Sequence, residues 1–173
     1  NRMMADFASD FRDGIDIRSV EIPGDTRTCT TLIEPSGRTT EIIEPAPRVT
    51  QGESEAYLEA FEQTIDDAAF LVISGTAVSG EPIERYRQFV ETAHRAGVEV
   101  LLDSYRDHGR EALFASPEVL KINADELSEL TEMPTGTPEE RLAACATLVD
   151  AYRIRWIIIT LGKEGAEAYS EEA

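Results

Sequence analysis

The run Ile157-Ile158-Ile159-Thr160 leads directly into Leu161-Gly162-Lys163-Glu164-Gly165-Ala166. The β-branched residues predict a strand that ends at Thr160, and the glycines predict a turn whose backbone can lie close to a bound group. In open α/β sheets, ligands bind outside the carboxyl ends of the strands. The turn is therefore a candidate nucleotide site, although the same residues also fit an ordinary hairpin turn onto Ala168 and Tyr169.

Upstream of this stretch, apolar strands and helical patterns alternate along the chain. The apolar runs cover residues 70–73, 98–102 and 119–122, and helices are predicted from Pro82, near residues 110–114 and from Ala124. Thr137-Pro138-Glu139-Glu140 supplies the N-cap, proline and glutamate that open a further helix before the last strand. Strands that are apolar throughout and alternate with helices predict a mostly parallel sheet covered on both faces.

The segment before this alternation has a different pattern. Residues 26–33 and 38–43 are β-rich and flank Pro35-Ser36-Gly37, which predicts a hairpin. Because the hairpin is polar enough to lie outside the main sheet, we interpret residues 24–48 as including a small β flap, or lid. Apolar residues at helical spacing predict helices within residues 2–11 and 57–68. No flexible linker appears, so residues 1–173 are expected to belong to one domain.

Composition and charge limit the classes of partner. The chain has 173 residues, 42% of them hydrophobic, which suits one globular domain or part of one. Its 16 basic and 34 acidic residues give a net charge of −18, a field that repels nucleic acid and anionic membrane surfaces. Cys29 and Cys145 have no metal-ligand spacing and predict neither a zinc site nor a disulfide framework. Without a signal peptide or a membrane-spanning run, the expected location is the cytoplasm.

Five motifs occur in order along the chain. They are Gly24-Asp25-Thr26-Arg27-Thr28, Ile73-Ser74-Gly75-Thr76, Leu101-Leu102-Asp103, Lys121-Ile122-Asn123-Ala124-Asp125-Glu126-Leu127 and Thr160-Leu161-Gly162-Lys163-Glu164-Gly165-Ala166. Together they resemble the ribokinase-like (PfkB) carbohydrate kinases, and most closely the branch that holds 1-phosphofructokinase and tagatose-6-phosphate kinase. The resemblance implies a three-layer α/β/α fold with a mostly parallel sheet and a small β lid.

The resemblance also implies roles for single residues. It assigns Arg27 and Thr76 to the sugar phosphate, assigns Asn123 and Glu126 to Mg²⁺ through water, and places five residues at the ATP site: Lys121, Asn123, Thr160, Gly162 and Gly165. The fork of donors on an arginine suits an anionic group, although an arginine on a polar strand can also be a solvated edge charge. Thr76 also fits a plain turn. The Asn123 and Glu126 spacing is also that of a helix capping box, and both readings can hold together because a helix N-terminus binds anions.

The activity implied by the resemblance is ATP-dependent phosphoryl transfer to a hydroxyl of a phosphorylated ketohexose, of the fructose-1-phosphate, fructose-6-phosphate or tagatose-6-phosphate class. ATP and Mg²⁺ are the expected cofactors, and a homodimer through the lid is expected. Two alternatives stay open: a kinase for an unphosphorylated sugar or nucleoside, and a non-catalytic sugar- or nucleotide-binding relative. A NAD-binding protein is disfavoured, because no G-x-G-x-x-G follows a strand.

The sequence departs from the family pattern in several places. Gly75-Thr76-Ala77-Val78 stands where the family usually has Gly-Ser-Leu-Pro, and Ile122 stands where it commonly has proline. Asp103 matches a strand-end aspartate that we interpret as structural, while Tyr105 and Arg106 fit either a substrate-specific feature or a variant loop. The family's Gly-Ala-Gly-Asp segment, which carries the catalytic base, is expected beyond Ala173. We therefore expect a truncated kinase domain that is inactive as these 173 residues alone.

Overall fold

The computed structural model of the chain describes residues 16–170, so the helix expected within residues 2–11 lies outside the described residues. The described chain forms two compact units. The first comprises residues 16–60 and 78–81, and the second comprises residues 61–77 and 82–170. The assignment of one domain to the whole chain stays a prediction.

The first unit contains the predicted hairpin. Strands β1 (Cys29–Ile33) and β2 (Thr39–Ile43) pair antiparallel in a two-stranded sheet separate from the main one, and all their residues are exposed. The turn closes through the amide of Gly37, which donates to the carbonyl oxygen of Glu34 at 2.9 Å. Gly37 has a φ of +85°, a conformation that glycine adopts without strain. Helix α1 (Gln51–Ile65) follows along the chain and confirms that a helix is present there, although it begins before the predicted residues 57–68 and ends before Ala68.

The second unit is built on a five-stranded sheet in chain order: β3 (Phe70–Ser74), β4 (Glu99–Asp103), β5 (Val119–Asn123), β6 (Trp156–Thr160) and β7 (Ala166–Tyr169). The first four strands are parallel, as the alternating pattern predicts. Strand β7 runs antiparallel to β6. The Gly-containing turn after Thr160 is therefore a hairpin turn in geometry, which was one of its two sequence-based interpretations.

Four helices connect these strands: α2 (Arg85–Arg95), α3 (Asp107–Leu113), α4 (Ala124–Thr131) and α5 (Pro138–Tyr152). The expected start of α2 at Pro82 is wrong by three residues, because Pro82 to Glu84 form a turn in which the amide of Arg85 bonds to the carbonyl of Pro82 at 3.0 Å. The predicted cap of α5 is confirmed, with reciprocal bonds between Thr137 and Glu140. No helix within residues 16–170 is both long and apolar enough to cross a membrane.

The core of the second unit lies on one face of the sheet. Alternate residues of β3 to β6 point to this face and are buried: Ile73, Val100, Leu102, Leu120, Ile122, Ile157 and Ile159. Because the strands follow chain order, right-handed crossovers place all the connecting helices on this same face. On the other face, Phe70, Val72 and Trp156 are 43%, 57% and 38% exposed. Within residues 16–170, the helices that connect the strands therefore form one of the two predicted helical layers.

The edge strand β7 is attached to α5 by a charged cluster. Arg141, which is 7% exposed, donates to both carboxylate oxygens of Glu167 at 2.7 and 2.6 Å, and the hydroxyl of Tyr169 donates to the same carboxylate. Arg141 also donates to the carbonyl oxygen of Thr135 at 3.2 Å. The bonds from Arg141, and then that from Tyr169, lower the pKa of Glu167 to about 2.

We expect Glu167→Gln to lower the stability of the protein near pH 7, because it leaves the buried Arg141 guanidinium without a bound carboxylate. The folded-state pKa of Glu167, about 2, lies below its ordinary value of 4.5. The stabilisation is therefore fully present above pH 4.5 and is lost as the pH falls through 2. Urea unfolding of the wild type and the variant at a series of pH values measures this difference in free energy.

Glu99→Gln is the matched control. Glu99 also makes two bonds to an arginine, Arg155, at 3.0 Å each, but both side chains are about half exposed. Exposed pairs contribute little, so this variant should lose much less stability than Glu167→Gln. A Glu167→Gln deficit that is the same at pH 7 and at pH 2 would contradict the assignment.

Candidate functional site

Polar residues end four neighbouring strands at the same edge of the sheet. Ser74, Asp103, Asn123 and Thr160 are the last residues of β3, β4, β5 and β6. In the register of the sheet, Ser74 pairs with Asp103 and Asn123 pairs with Thr160. Since parallel strands bring their carboxyl ends to one edge, this edge is where a ligand of an open α/β sheet binds.

Asp103 connects three of these strands. One carboxylate oxygen, Oδ1, accepts from Nζ of Lys121 at 3.0 Å, and the other, Oδ2, accepts from the hydroxyl of Ser74 at 3.2 Å. Its backbone oxygen accepts from the amide of Gly75 at 3.1 Å. Lys121 and Asp103 are 38% and 30% exposed, so the ion pair is still accessible to a ligand. Asp103 thus positions the Lys121 ammonium beside the end of β4.

The start of α4 places Asn123 and Glu126 side by side. The Glu126 amide donates to Oδ1 of Asn123 at 2.9 Å, and the Asn123 amide donates to Oε2 of Glu126 at 2.9 Å. This is a complete capping box, the alternative that the sequence spacing left open. The cap holds the Glu126 carboxylate at the sheet edge.

The exit of β6 is a short turn that needs its glycines. Residues Gly162–Glu164 form one turn of 3₁₀ helix, and the amide of Leu161 donates to the carbonyl oxygen of Gly165 at 2.8 Å. Gly162 and Gly165 have φ values of +59° and +99°, which side chains other than glycine adopt at a cost. A Cβ atom at either position would have no neighbour within 4 Å, so the turn is open.

A cavity of about 180 Å³ lies at this edge of the sheet. Its lining comes from the exits of β3 and β4 and from α4: Ser74, Gly75, Thr76, Asp103, Ser104, Tyr105, Arg106 and Glu126. A larger cavity, about 520 Å³, borders Arg155 and Trp156 at the amino end of β6. We take the smaller cavity as the candidate site, because ligands of parallel sheets bind at the carboxyl ends of the strands.

The structure brings most of the residues named from the sequence to this edge. Thr76 and Glu126 line the cavity, Lys121 reaches it through Asp103, and Thr160 lies beside Asn123 on the next strand. Gly162 and Gly165 lie in the turn beyond β6. Arg27 belongs to the first compact unit, where it is exposed just before β1.

The sequence placed Ser74 in a motif at the exit of β3 but assigned the ligand contact there to Thr76, and it gave Asp103 only a structural role. Both are polar residues that end an otherwise apolar strand, and this signal is visible in the sequence. The bond between them depends on the β3–β4 register, in which Ser74 is paired with Asp103. Tyr105 and Arg106, which the sequence left undecided, both line the cavity.

The donor set at the edge fits a magnesium ion held through water. Within residues 16–170, no three His, Cys, Asp or Glu side chains are grouped as a metal centre. Mg²⁺ usually keeps several waters and binds one or two carboxylates together with phosphate oxygens. Oε2 of Glu126 is engaged in the cap, whereas its Oε1 has no hydrogen-bond partner among the described residues. Glu126 therefore offers one carboxylate oxygen to a hydrated cation.

Comparison with known proteins gave one family and several solved structures. A family model described as pfkB family carbohydrate kinase matches residues 5–173. The tetrameric inhibited form of phosphofructokinase-2 from Escherichia coli is 23% identical with a TM-score of 0.82, covering 99% of this chain and 56% of that one. The same enzyme in complex with fructose-6-phosphate is 25% identical with a TM-score of 0.63, covering 81% of this chain and 46% of that one.

Two further relatives are similar over most of the chain. A protein described as a possible 1-phosphofructokinase from Thermotoga maritima is 21% identical with a TM-score of 0.73, covering 89% of this chain and 49% of that one. The ribokinase of Arabidopsis thaliana, solved with ribose and ATP, is 20% identical with a TM-score of 0.60, covering 86% and 46%. The chain thus spans about half the length of the structures it matches.

We expect Asn123→Ala to destabilise the protein by about 1 kcal/mol, because the variant loses the side-chain cap of α4. Asn123→Asp keeps an oxygen at the same position and should retain most of the stability. Chemical denaturation of the three proteins measures both effects. Thr137→Ala, which removes the equivalent cap of α5, is the matched control and should lose a similar amount. An Asn123→Ala variant as stable as the wild type would show that the cap contributes nothing.

Proposed function

The chain belongs to the pfkB family of carbohydrate kinases, and we propose that the full protein transfers the γ-phosphate of ATP to a hydroxyl of a phosphorylated ketohexose. The chain has the α/β ribokinase-like fold of its structural relatives. The observation that supports the proposal best is the polar cavity at the carboxyl edge of the sheet, lined by Thr76, Asp103 and Glu126. The proposed acceptors are of the fructose-1-phosphate, fructose-6-phosphate or tagatose-6-phosphate class.

In this proposal, some residues at the carboxyl edge of the sheet bind the sugar and others bind the nucleotide. The Thr76 hydroxyl contacts the sugar from the exit of β3. The Lys121 ammonium and the Thr160 hydroxyl face the nucleotide, and the open turn at Gly162 and Gly165 lets ATP approach the backbone. Lys121 is already paired with Asp103 at 3.0 Å, so it is held in place before a nucleotide arrives. Such preorganisation lowers the cost of ordering a charged side chain on binding.

Asn123 and Glu126 are the proposed magnesium residues, acting through bound water. The free Oε1 of Glu126 and the capping box that fixes this side chain support the assignment. When bound, the ion neutralises negative charge on the phosphoryl group and on the oxygens that carry it. The protein's own contribution is to hold the carboxylate beside the cavity.

Arg27 is the proposed ligand of the sugar phosphate. It is exposed, and it makes no hydrogen bond or ion pair with any residue within 16–170. Its guanidinium can therefore give all of its donors to a phosphate, whose oxygens match the fork geometry. A solved relative, phosphofructokinase-2 from Escherichia coli, was obtained in complex with fructose-6-phosphate, which is an acceptor of the proposed class.

A second candidate is a kinase for an unphosphorylated sugar, since the similar Arabidopsis ribokinase was solved with ribose and ATP. Initial rates with ATP, Mg²⁺ and a panel of sugars separate the candidates. The proposal expects turnover of a phosphorylated ketohexose in preference to fructose or ribose. Turnover restricted to neutral sugars would replace it with the second candidate. ATP binding without any turnover would indicate a non-catalytic relative.

We expect Arg27→Ala to raise the KM for the sugar phosphate by about ten-fold or more, because charge-assisted bonds to the phosphate are lost. The KM for ATP should change little. Steady-state kinetics of the full protein measure both constants. Arg38→Ala is the matched control, since Arg38 lies at the tip of the same hairpin and its side chain makes one contact with the described residues, at 3.8 Å to Glu34. An unchanged KM for the sugar phosphate in Arg27→Ala would remove the proposed role.

The hairpin is the proposed contact of a homodimer. The hairpin exposes four large apolar side chains: Leu32 (52%), Ile33 (74%), Ile42 (55%) and Ile43 (58%). A two-stranded hairpin is only marginally stable by itself, so burial of these side chains against a partner would stabilise it. In the register of the hairpin, Leu32 and Ile42 lie on one face and Ile33 and Ile43 lie on the other, so each face offers two exposed apolar side chains to a partner.

We expect the wild type to sediment as a dimer or larger and Ile33→Glu to sediment as a monomer, because the change places a charge in the proposed contact. Leu142→Glu, at an exposed leucine of α5, should leave the assembly unchanged. A monomeric wild type would contradict the proposal.

A further inference from the structure

The loop after β4 carries a cation, Arg106, that has no role in the function proposed for this site. Tyr105 and Arg106 follow Asp103 and Ser104 directly, and all four residues line the cavity at the sheet edge. Arg106 is exposed, and its Nε donates to the hydroxyl of Tyr105 at 3.3 Å. Its guanidinium carbon lies 5.8 Å from the centre of the Tyr105 ring, within cation–π distance. The Tyr105 side chain therefore orients the guanidinium of Arg106.

The backbone of this loop is held by close packing. A Cβ atom on Gly109 would lie 2.5 Å from the carbonyl carbon and oxygen of Ser104, so the approach of α3 to the loop needs glycine. Arg106 is the N-cap residue of α3, and its carbonyl oxygen accepts from the amide of Arg110 at 2.8 Å. The Arg110 side chain in turn donates to the carbonyl oxygen of Leu130 at 3.3 Å, which joins α3 to α4. These contacts fix the backbone of Arg106 at the start of α3.

The two terminal nitrogens of Arg106 make no hydrogen bond within residues 16–170. Arg106 also forms no ion pair with a described carboxylate, in a chain with 34 acidic and 16 basic residues. A second cation at this edge, Lys121, is already paired with Asp103. Arg106 is consequently a cation at the cavity with hydrogen-bond donors available to a ligand. The cavity is also lined by Glu126, whose charge has the opposite sign.

We propose that Arg106 binds the oxygens of a phosphoryl group carried by a ligand of this cavity and so favours phosphorylated over neutral ligands. The inference rests on the proposed function for its choice of cavity. Arginine suits this role because its planar fork can give two parallel hydrogen bonds to a phosphate. The phosphoryl group belongs either to the sugar phosphate or to the nucleotide, and the experiment separates these two sources.

The first measurement is calorimetric titration of the full chain with inorganic phosphate. We expect Arg106→Gln to weaken binding by about ten-fold, the change that loss of a charge-assisted pair produces. Arg106→Lys should recover part of the affinity, since it restores the charge without the fork. Equal thermal stability of the variants shows that the loop is still folded. Arg95→Gln, which removes a charge at the last turn of α2, is the matched control and should bind as the wild type does.

Steady-state kinetics identify the source of the phosphoryl group. A higher KM for fructose-6-phosphate with little change for ATP assigns Arg106 to the sugar phosphate, and the reverse pattern assigns it to the nucleotide. Unchanged phosphate affinity and unchanged KM values in Arg106→Gln would overturn the inference. A wild type that binds neither inorganic phosphate, fructose-6-phosphate nor ATP would overturn it as well.

The experiments distinguish failure of the proposed function from failure of the Arg106 inference. A wild type that phosphorylates only a neutral sugar rejects the sugar-phosphate kinase. Weaker phosphate binding by Arg106→Gln would still support the role of Arg106, because that measurement does not depend on turnover.

Discussion

The parallel register of strands β3 to β6 is the constraint on which the candidate site depends. Buried residues pair with buried residues across each strand boundary, as in Ile73 with Leu102, Leu102 with Leu120, and Ile122 with Ile159. A shift by one residue would turn these side chains to the other face, so burial fixes the register. The same register then places the polar strand ends side by side. The buried apolar residues alone fix this register, so the polar residues of the site are not required for it.

The site brings two cations, Lys121 and Arg106, to one edge of the sheet in a strongly acidic chain. With a net charge of −18, most of the surface repels an anionic ligand. Lys121 at the sheet edge is neutralised and held by Asp103, whereas Arg106 on the next loop keeps free donors. Local placement of cations, rather than the overall field, would therefore attract a phosphate. Together with the carboxylate of Glu126, this arrangement provides both signs of charge that a magnesium phosphate complex needs.

Much of the fold could be predicted because its strands have simple patterns. The apolar runs predicted β3 to β6, and the cap at Thr137 predicted the start of α5. The start of α2 could not be read from Pro82, because proline is favoured both in the first helical turn and in a preceding turn. The ion pair of Asp103 with Lys121 joins residues that are far apart in sequence, so it depends on a register that periodicity alone does not specify.

The proposed function depends on the binding of phosphate-bearing ligands at the carboxyl edge of the sheet. Amide and side-chain NMR shifts of the full chain, followed during titration with MgADP and fructose-6-phosphate, test it most directly. We expect saturable shifts at Thr76, Asp103, Arg106 and Asn123, with no shift of the Trp156 indole at the opposite end of β6. Shifts confined to the cavity beside Trp156 would contradict it.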